Sequence, residues 1–144
     1  MVEGRGEEVR SLPSMPDTHF VLLVPTLEIP RKTATLYGYI TTRHYTAGNA
    51  SLRLGHALED GKRPGASLLF NVFEDVAFGL FPVLEEHRRA LLGAGAGWVR
   101  LTGTGPGLYT LMASRERALA LAERLRNAGY QPYVASTVGP TCTE

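Results

Sequence analysis

The sequence predicts an α+β domain, a small antiparallel sheet packed against helices in the manner of a ferredoxin-like plait. Three observations predict it. Short runs rich in β-branched and aromatic residues read as strands. Apolar residues at three- and four-residue steps between them read as helices. Two of the strand-like runs flank a glycine-rich turn, and local hairpins mixed with helices give an α+β sandwich.

Taken in order, Met1–Asp17 carries four acids, two glycines and two prolines with no periodicity, and reads as a loose lead-in segment. Phe20–Val24 is a continuous apolar run closed by Pro25, too short for a core helix, and reads as a buried strand. Pro25–Arg31 is a loop with two prolines. Lys32–Ile40 is expected to form a short helix with Ala34, Leu36, Tyr37 and Ile40 as its apolar positions. Thr41–Ser67 holds four glycines and reads as loop with one helix around Ala50–Leu58. Leu68–Leu92 has a helical pattern, with Phe73, Val76, Ala77 and Leu80, then Val83, Leu84, His87 and Leu91. Pro82 divides it, since proline suits a first helical turn far better than an interior.

Gly93–Gly97 stops the second of these helices. Trp98–Thr102 and Leu108–Met112 are strands on either side of Gly103–Gly107. Ser114 is an N-cap for a helix whose stripe is Ala118, Leu119, Ala122, Leu125 and Ala128, with Gly129 as its stop. Tyr133–Val138 is the last strand, and a tail follows over 139–144.

A chain of 144 residues is about one domain. Lys+Arg 15 against Asp+Glu 14 leaves a net charge of +1, which argues against a nucleic-acid partner. The single Cys142 rules out an internal disulfide framework and fits a reducing cytosol. No apolar stretch is long enough to span a bilayer, and the charged residues at 1–10 lack the apolar core of a secretory leader. The expectation is a cytoplasmic protein with no membrane partner. His19, His44, His56 and His87 share no metal-ligand spacing, so no metal site is expected. The adjacent carboxylates Glu59-Asp60, Glu74-Asp75 and Glu85-Glu86 point different ways on a helix and read mostly as solvated faces.

Gly103-Thr104-Gly105-Pro106-Gly107 is the most informative segment. Three glycines in five residues allow positive φ and leave amides uncovered, so the turn is either an anion-binding nest or an ordinary hairpin turn. It is neither a Walker A loop nor a dinucleotide fingerprint, because no Gly-Lys-Ser/Thr follows and the next element is a strand. Lys32 and Thr33 at a helix start are either a polar-substrate contact or simple capping. Tyr37 is either a core aromatic or a stacking surface.

In order, Val24-Pro25, Lys32-Thr33-Ala34-x-x-Tyr37, Asn71-x-Phe73-Glu74, Pro82, Gly93-Ala94 and Leu101-Thr-Gly-Thr-Gly105-Pro106 match one family. The chain resembles the C-terminal domain of the 4-diphosphocytidyl-2-C-methylerythritol kinases, in the GHMP kinase superfamily, from about Gly4 to Val138. Gly4-Arg5-Gly6-Glu7 resembles that family's crossover between domains, giving an interdomain segment over 1–17, the domain over 18–138 and a tail over 139–144.

The resemblance implies a plait of the GHMP kinase C-terminal type. It also implies a parent enzyme that transfers phosphate from ATP, with Mg²⁺, to the 2-hydroxyl of a cytidine diphosphate sugar-alcohol. By the same resemblance Thr33, Ala34 and Tyr37 would contact the cytidine substrate. Gly103, Thr104 and Gly105 would form the third, glycine-rich motif lining the cleft. Asn71 and Glu74 would brace a helix against the sheet.

The family's Pro-x-x-x-Gly-x-Gly-Ser-Ser phosphate loop and its catalytic Asp and Lys have no counterpart among these 144 residues. They belong to an N-terminal domain, which is the expected partner. The chain alone is therefore expected to contain no catalytic residue, to bind no ATP or Mg²⁺, and to be inactive. Two alternatives stand beside this reading: a free-standing module that binds a small metabolite, and the C-terminal domain of another GHMP kinase.

Overall fold

In a computed structural model, residues 1–26 and 32–138 are described, Lys32 by its backbone alone. Residues 27–31 of the expected Pro25–Arg31 loop, and the tail over 139–144 with Cys142, lie outside the described residues.

The elements are β1 (Val2–Glu3), β2 (Glu8–Val9), β3 (His19–Leu23), α1 (Lys32–Tyr39), α2 (Asn49–Glu59), α3 (Glu74–Leu80), α4 (Pro82–Gly93), β4 (Arg100–Leu101), β5 (Leu108–Met112), α5 (Arg115–Asn127) and β6 (Pro132–Ser136). Short 3₁₀ turns occupy Thr42–His44 and Ala66–Leu68. Four strands form one antiparallel sheet in the order β4-β5-β3-β6, which is the strand order of the plait. β3 pairs with β5 through Val21 opposite Thr110 and Leu23 opposite Leu108, and with β6 through Val21 opposite Val134.

Alternation along the strands decides which face is covered. Val21, Leu23, Leu108 and Thr110 are buried, and α5 packs over them with Ala118, Leu121, Ala122 and Leu125 fully inside. Phe20 and Leu22 point the other way and are only half-buried, so the apolar run expected as a buried strand buries one face fully. Leu84 and Leu91 of α4, Val76 and Ala77 of α3 and Leu36 of α1 join the core, as do Ala96, Val99 and Leu101.

Several expectations needed adjustment. The lead-in over 1–17 is not structureless: β1 and β2 pair across a turn carried by Gly4 (φ +65°) and Gly6 (φ +108°). It is tied to α2 by Arg10 donating to Glu59 at 2.6 Å. The stripe on α5 runs through Leu121, with Leu119 and Ala128 exposed, because 118–122 alternate Ala and Leu and present apolar groups on several sides. The helix expected from Leu68 begins only at Glu74; Asn71 Oδ1 accepts from the Phe73 amide and holds the preceding residues in a turn. The break at Pro82 and the Ser114 cap, which accepts from the Arg117 amide at 3.4 Å, fall where expected.

Where the sheet begins and ends, Thr18 and Thr137 are joined. The Thr18 amide donates to Thr137 Oγ1 at 3.0 Å and the Thr137 amide to the Thr18 carbonyl at 2.9 Å. No helix among the described residues is long and apolar enough to cross a membrane.

Candidate functional site

α1 carries three of the expected contact residues on its outer side. Leu36 is fully buried, and Thr33, Ala34 and Tyr37 are exposed. Positions 33, 34 and 37 share one face because helical neighbours lie three and four residues apart. Tyr37 is 60% exposed, and its ring meets Phe73 edge-on at 5.0 Å between centroids. It is an outward-facing aromatic held in a T-shaped contact, at 76° to the Phe73 ring. The side chain of Lys32 lies outside the described residues.

The glycine-rich turn closes the β4–β5 hairpin. Gly105 donates to the Thr102 carbonyl at 2.7 Å, and the Thr102 amide donates to the Gly107 carbonyl at 2.8 Å. Gly103 (φ +49°) and Gly105 (φ +73°) adopt left-handed conformations. A Cβ at Gly105 would stand 2.9 Å from Leu101 Cδ1, so side-chain contact as well as dihedral angle selects glycine there. Among the described residues, no group accepts from the amides of Gly103 or Thr104.

The turn and α1 meet although 71 residues separate them: Thr33 Oγ1 and Thr104 Oγ1 lie 3.3 Å apart. A groove of about 500 Å³ runs beside Tyr37, lined by Ile40, His44, Tyr45, Phe70 and Phe73. That volume suits a small ligand. A second groove of about 500 Å³ runs past Leu54, Tyr109, Thr102 and Gly103, and Thr46, Phe70, Asn71 and Phe73 line both. A depression of about 550 Å³ beside Phe78 and Tyr130 lies elsewhere and holds none of the expected residues.

Asn71 and Glu74 stand between α3 and the hairpin. The Asn71 side-chain amide donates to the carbonyls of Leu101 and Gly103, each at 2.8 Å. Glu74 accepts from the Leu101 amide at 2.8 Å and from Arg100 at 2.9 Å. Arg100 also donates to the Ala66 carbonyl at 3.0 Å. Glu74 is thus a nearly buried, fully engaged carboxylate rather than part of a solvated face. Burial first, and then the negative charge of Glu74, push the Tyr109 phenol above its ordinary range.

The resemblance named Thr33, Ala34 and Tyr37, which lie together on the exposed face of α1, and sequence reasoning read the glycine segment as a turn between two strands. It missed the other walls of the groove: His44 and Tyr45 fall in the stretch read as loop, and Phe70 in the run read as helix. The signal for His44 was the Thr41-x-x-His44 spacing of a helix cap. His44 Nδ1 accepts from the Thr41 amide at 2.9 Å and buries the ring against the turn it caps. The four histidines lie on separate elements or turns.

A family model described as GHMP kinases C terminal matches residues 52–131, more than half of the chain. The chain belongs to the GHMP kinase family and corresponds to its C-terminal domain. Within that family it is similar to the 4-diphosphocytidyl-2-C-methyl-D-erythritol kinase of Dehalococcoides mccartyi strain CBDB1. The two are 43% identical over 141 residues, covering 97% of this chain and 49% of that protein. A crystal structure of 4-(cytidine 5'-diphospho)-2C-methyl-D-erythritol kinase superimposes with a TM-score of 0.68 at 27% identity, over 92% of this chain and 47% of that one. The mevalonate kinase of L. major, in complex with R-mevalonate, shares the fold at 17% identity with a TM-score of 0.66, over 92% of this chain and 45% of that one. The chain spans about half the length of the curated relatives it matches.

Proposed function

We propose that this chain is the C-terminal half of a cytoplasmic, ATP-dependent kinase that phosphorylates the 2-hydroxyl of 4-diphosphocytidyl-2-C-methylerythritol, and that it is inactive without an N-terminal domain. The observation that carries the reading is the meeting of Thr33 and Thr104 at 3.3 Å, which sets the Tyr37 face of α1 beside the glycine turn. A tyrosine that is 60% exposed offers a stacking surface for cytosine, an interaction worth ~1–3 kcal/mol per base. The Gly103 and Thr104 amides offer donors to phosphate oxygen, or to a phosphate-holding loop of the partner domain.

Phosphoryl transfer needs positioning, a cradle for the phosphates and neutralisation of their charge, commonly by Mg²⁺. Glu74, the carboxylate tied into β4 just before the turn, spends both oxygens on Arg100 and Leu101. It does not fit a metal ligand. In this reading ATP and Mg²⁺ fall to the partner domain, and this chain contributes the substrate wall and the support for the phosphate loop. Neither nucleic acid nor a membrane is a partner in this reading.

The test is a fusion of the amino-terminal half of the Dehalococcoides relative to this chain, assayed for ATP-dependent phosphorylation of the cytidine substrate. The fusion is expected to turn over and the 144-residue chain alone is not. Tyr37→Ala in the fusion is expected to raise KM for that substrate roughly tenfold through lost stacking. Turnover by the chain alone would end the claim of inactivity. Tight cytidine diphosphate binding by the chain alone, with an inactive fusion, would favour a free-standing binding module.

A further inference from the structure

We propose that Asn71 is the positioning residue of the glycine turn, fixing from the entrance of α3 the direction in which Thr104 and the Gly103 and Thr104 amides point. What the turn is for rests on the reading above; the clamp itself rests on geometry alone.

β4 is an edge strand of only two residues, so little of the turn's order comes from the sheet. The Thr102 amide faces β5, where it donates to the Gly107 carbonyl. Alternation then turns the amide and carbonyl of Leu101 outward, where a further strand would bond them, and the left-handed turn at Gly103 leaves its carbonyl facing the same Asn71 nitrogen. Side chains take that strand's place. Glu74 accepts from the Leu101 amide, and the Asn71 NH₂ spans the Leu101 and Gly103 carbonyls at 2.8 Å each.

Two donors on one nitrogen, reaching carbonyls two residues apart, fix the path of the chain through Thr102 into the turn. With those carbonyls held toward Asn71, the Gly103 and Thr104 amides stay out of hairpin bonding. The other end of the same amide, Oδ1, accepts from Phe73, whose ring supports Tyr37. One side chain therefore ties the turn to the aromatic wall of the groove. Glu74 serves as the strut, its charge balanced by Arg100.

Asn71→Asp separates these roles. The carboxylate keeps the acceptor for Phe73 and loses both donors, leaving oxygen facing two carbonyl oxygens. In the 144-residue chain, amide hydrogen exchange followed by NMR is expected to accelerate roughly tenfold at Thr102 and Gly105, the scale of two lost neutral hydrogen bonds. Exchange at Val21 in β3 and Leu121 in α5 is expected to stay within about twofold of wild type.

In the wild-type chain, through-hydrogen-bond scalar couplings are expected from the Asn71 side-chain nitrogen to the carbonyl carbons of Leu101 and Gly103. This measurement decides the matter even where the variant fails to fold. Unchanged exchange at the turn, uniform acceleration across the sheet, or missing couplings in the wild type would each overturn the proposal. A freed turn in Asn71→Asp beside an inactive wild-type fusion would leave the clamp standing and remove the kinase reading instead. In an active fusion, the variant is expected to lower kcat roughly tenfold with a smaller change in KM for the cytidine substrate, since Tyr37 keeps its support.

Discussion

Gly105 is held to glycine by two separate constraints, a φ of +73° and a Leu101 methyl that a Cβ would meet at 2.9 Å. Gly103 has only the first, with nothing near its missing Cβ. Gly105→Ala is therefore expected to cost ~2 kcal/mol or more, against ~1 kcal/mol for Gly103→Ala, with melting temperatures falling in the same order. Equal losses at the two positions would show that the contact with Leu101 relaxes freely. The glycines were visible in the sequence as a turn, but nothing in their spacing said that Thr33 would come to rest beside Thr104. A contact across 71 residues has no local signature, and only the resemblance to a family put the two in one site.

Elements were legible where the chain punctuates itself. Pro82 divides α3 from α4, Ser114 caps α5, and Gly129 (φ +88°) ends it, because each of these residues restricts or frees the backbone by its own chemistry. α2, expected around Ala50–Leu58, runs Asn49–Glu59, although it buries only Gly55 fully and the lead-in segment binds it through Arg10 and Glu59. The start of α3 lies later than the pattern from Leu68 suggests, because apolar residues from Leu68 to Phe73 line grooves rather than a helix face.

On α4, Arg88 and then Arg89 hydrogen-bond Glu85 and hold its carboxyl below the ordinary carboxylate range. A depressed acid contributes stability that is complete above its unfolded value of 4.5 and is lost as pH falls through the folded one. Glu85→Gln is therefore expected to flatten the fall in melting temperature on acidification below about pH 4.5, while lowering it slightly at neutral pH. An unchanged acid limb would assign that fall to other carboxylates.

For the molecule as a whole, composition and the alternation of strand-like and helix-like runs were enough for the plait, since its hairpin and its last helix–strand pair are sequence neighbours. The placement of β3 between β5 and β6 was not readable from any one run. It follows from burying Val21 and Leu23 under α5, a choice made by packing across the whole chain. The bonded pair Thr18 and Thr137 has a consequence of its own. The sheet's first and last residues lie side by side, so the order in which the chain visits the elements can be rewired without moving them. A circular permutant that links Thr137 to Thr18 through a short glycine bridge and opens between the exposed Gly61 and Lys62 is expected to keep the same sheet, checked by its β5–β3–β6 cross-strand nuclear Overhauser contacts. The fold would then behave as a closed loop that tolerates being cut and respliced, held by the adjacency of the sheet's two ends rather than by the order in which the chain visits its elements.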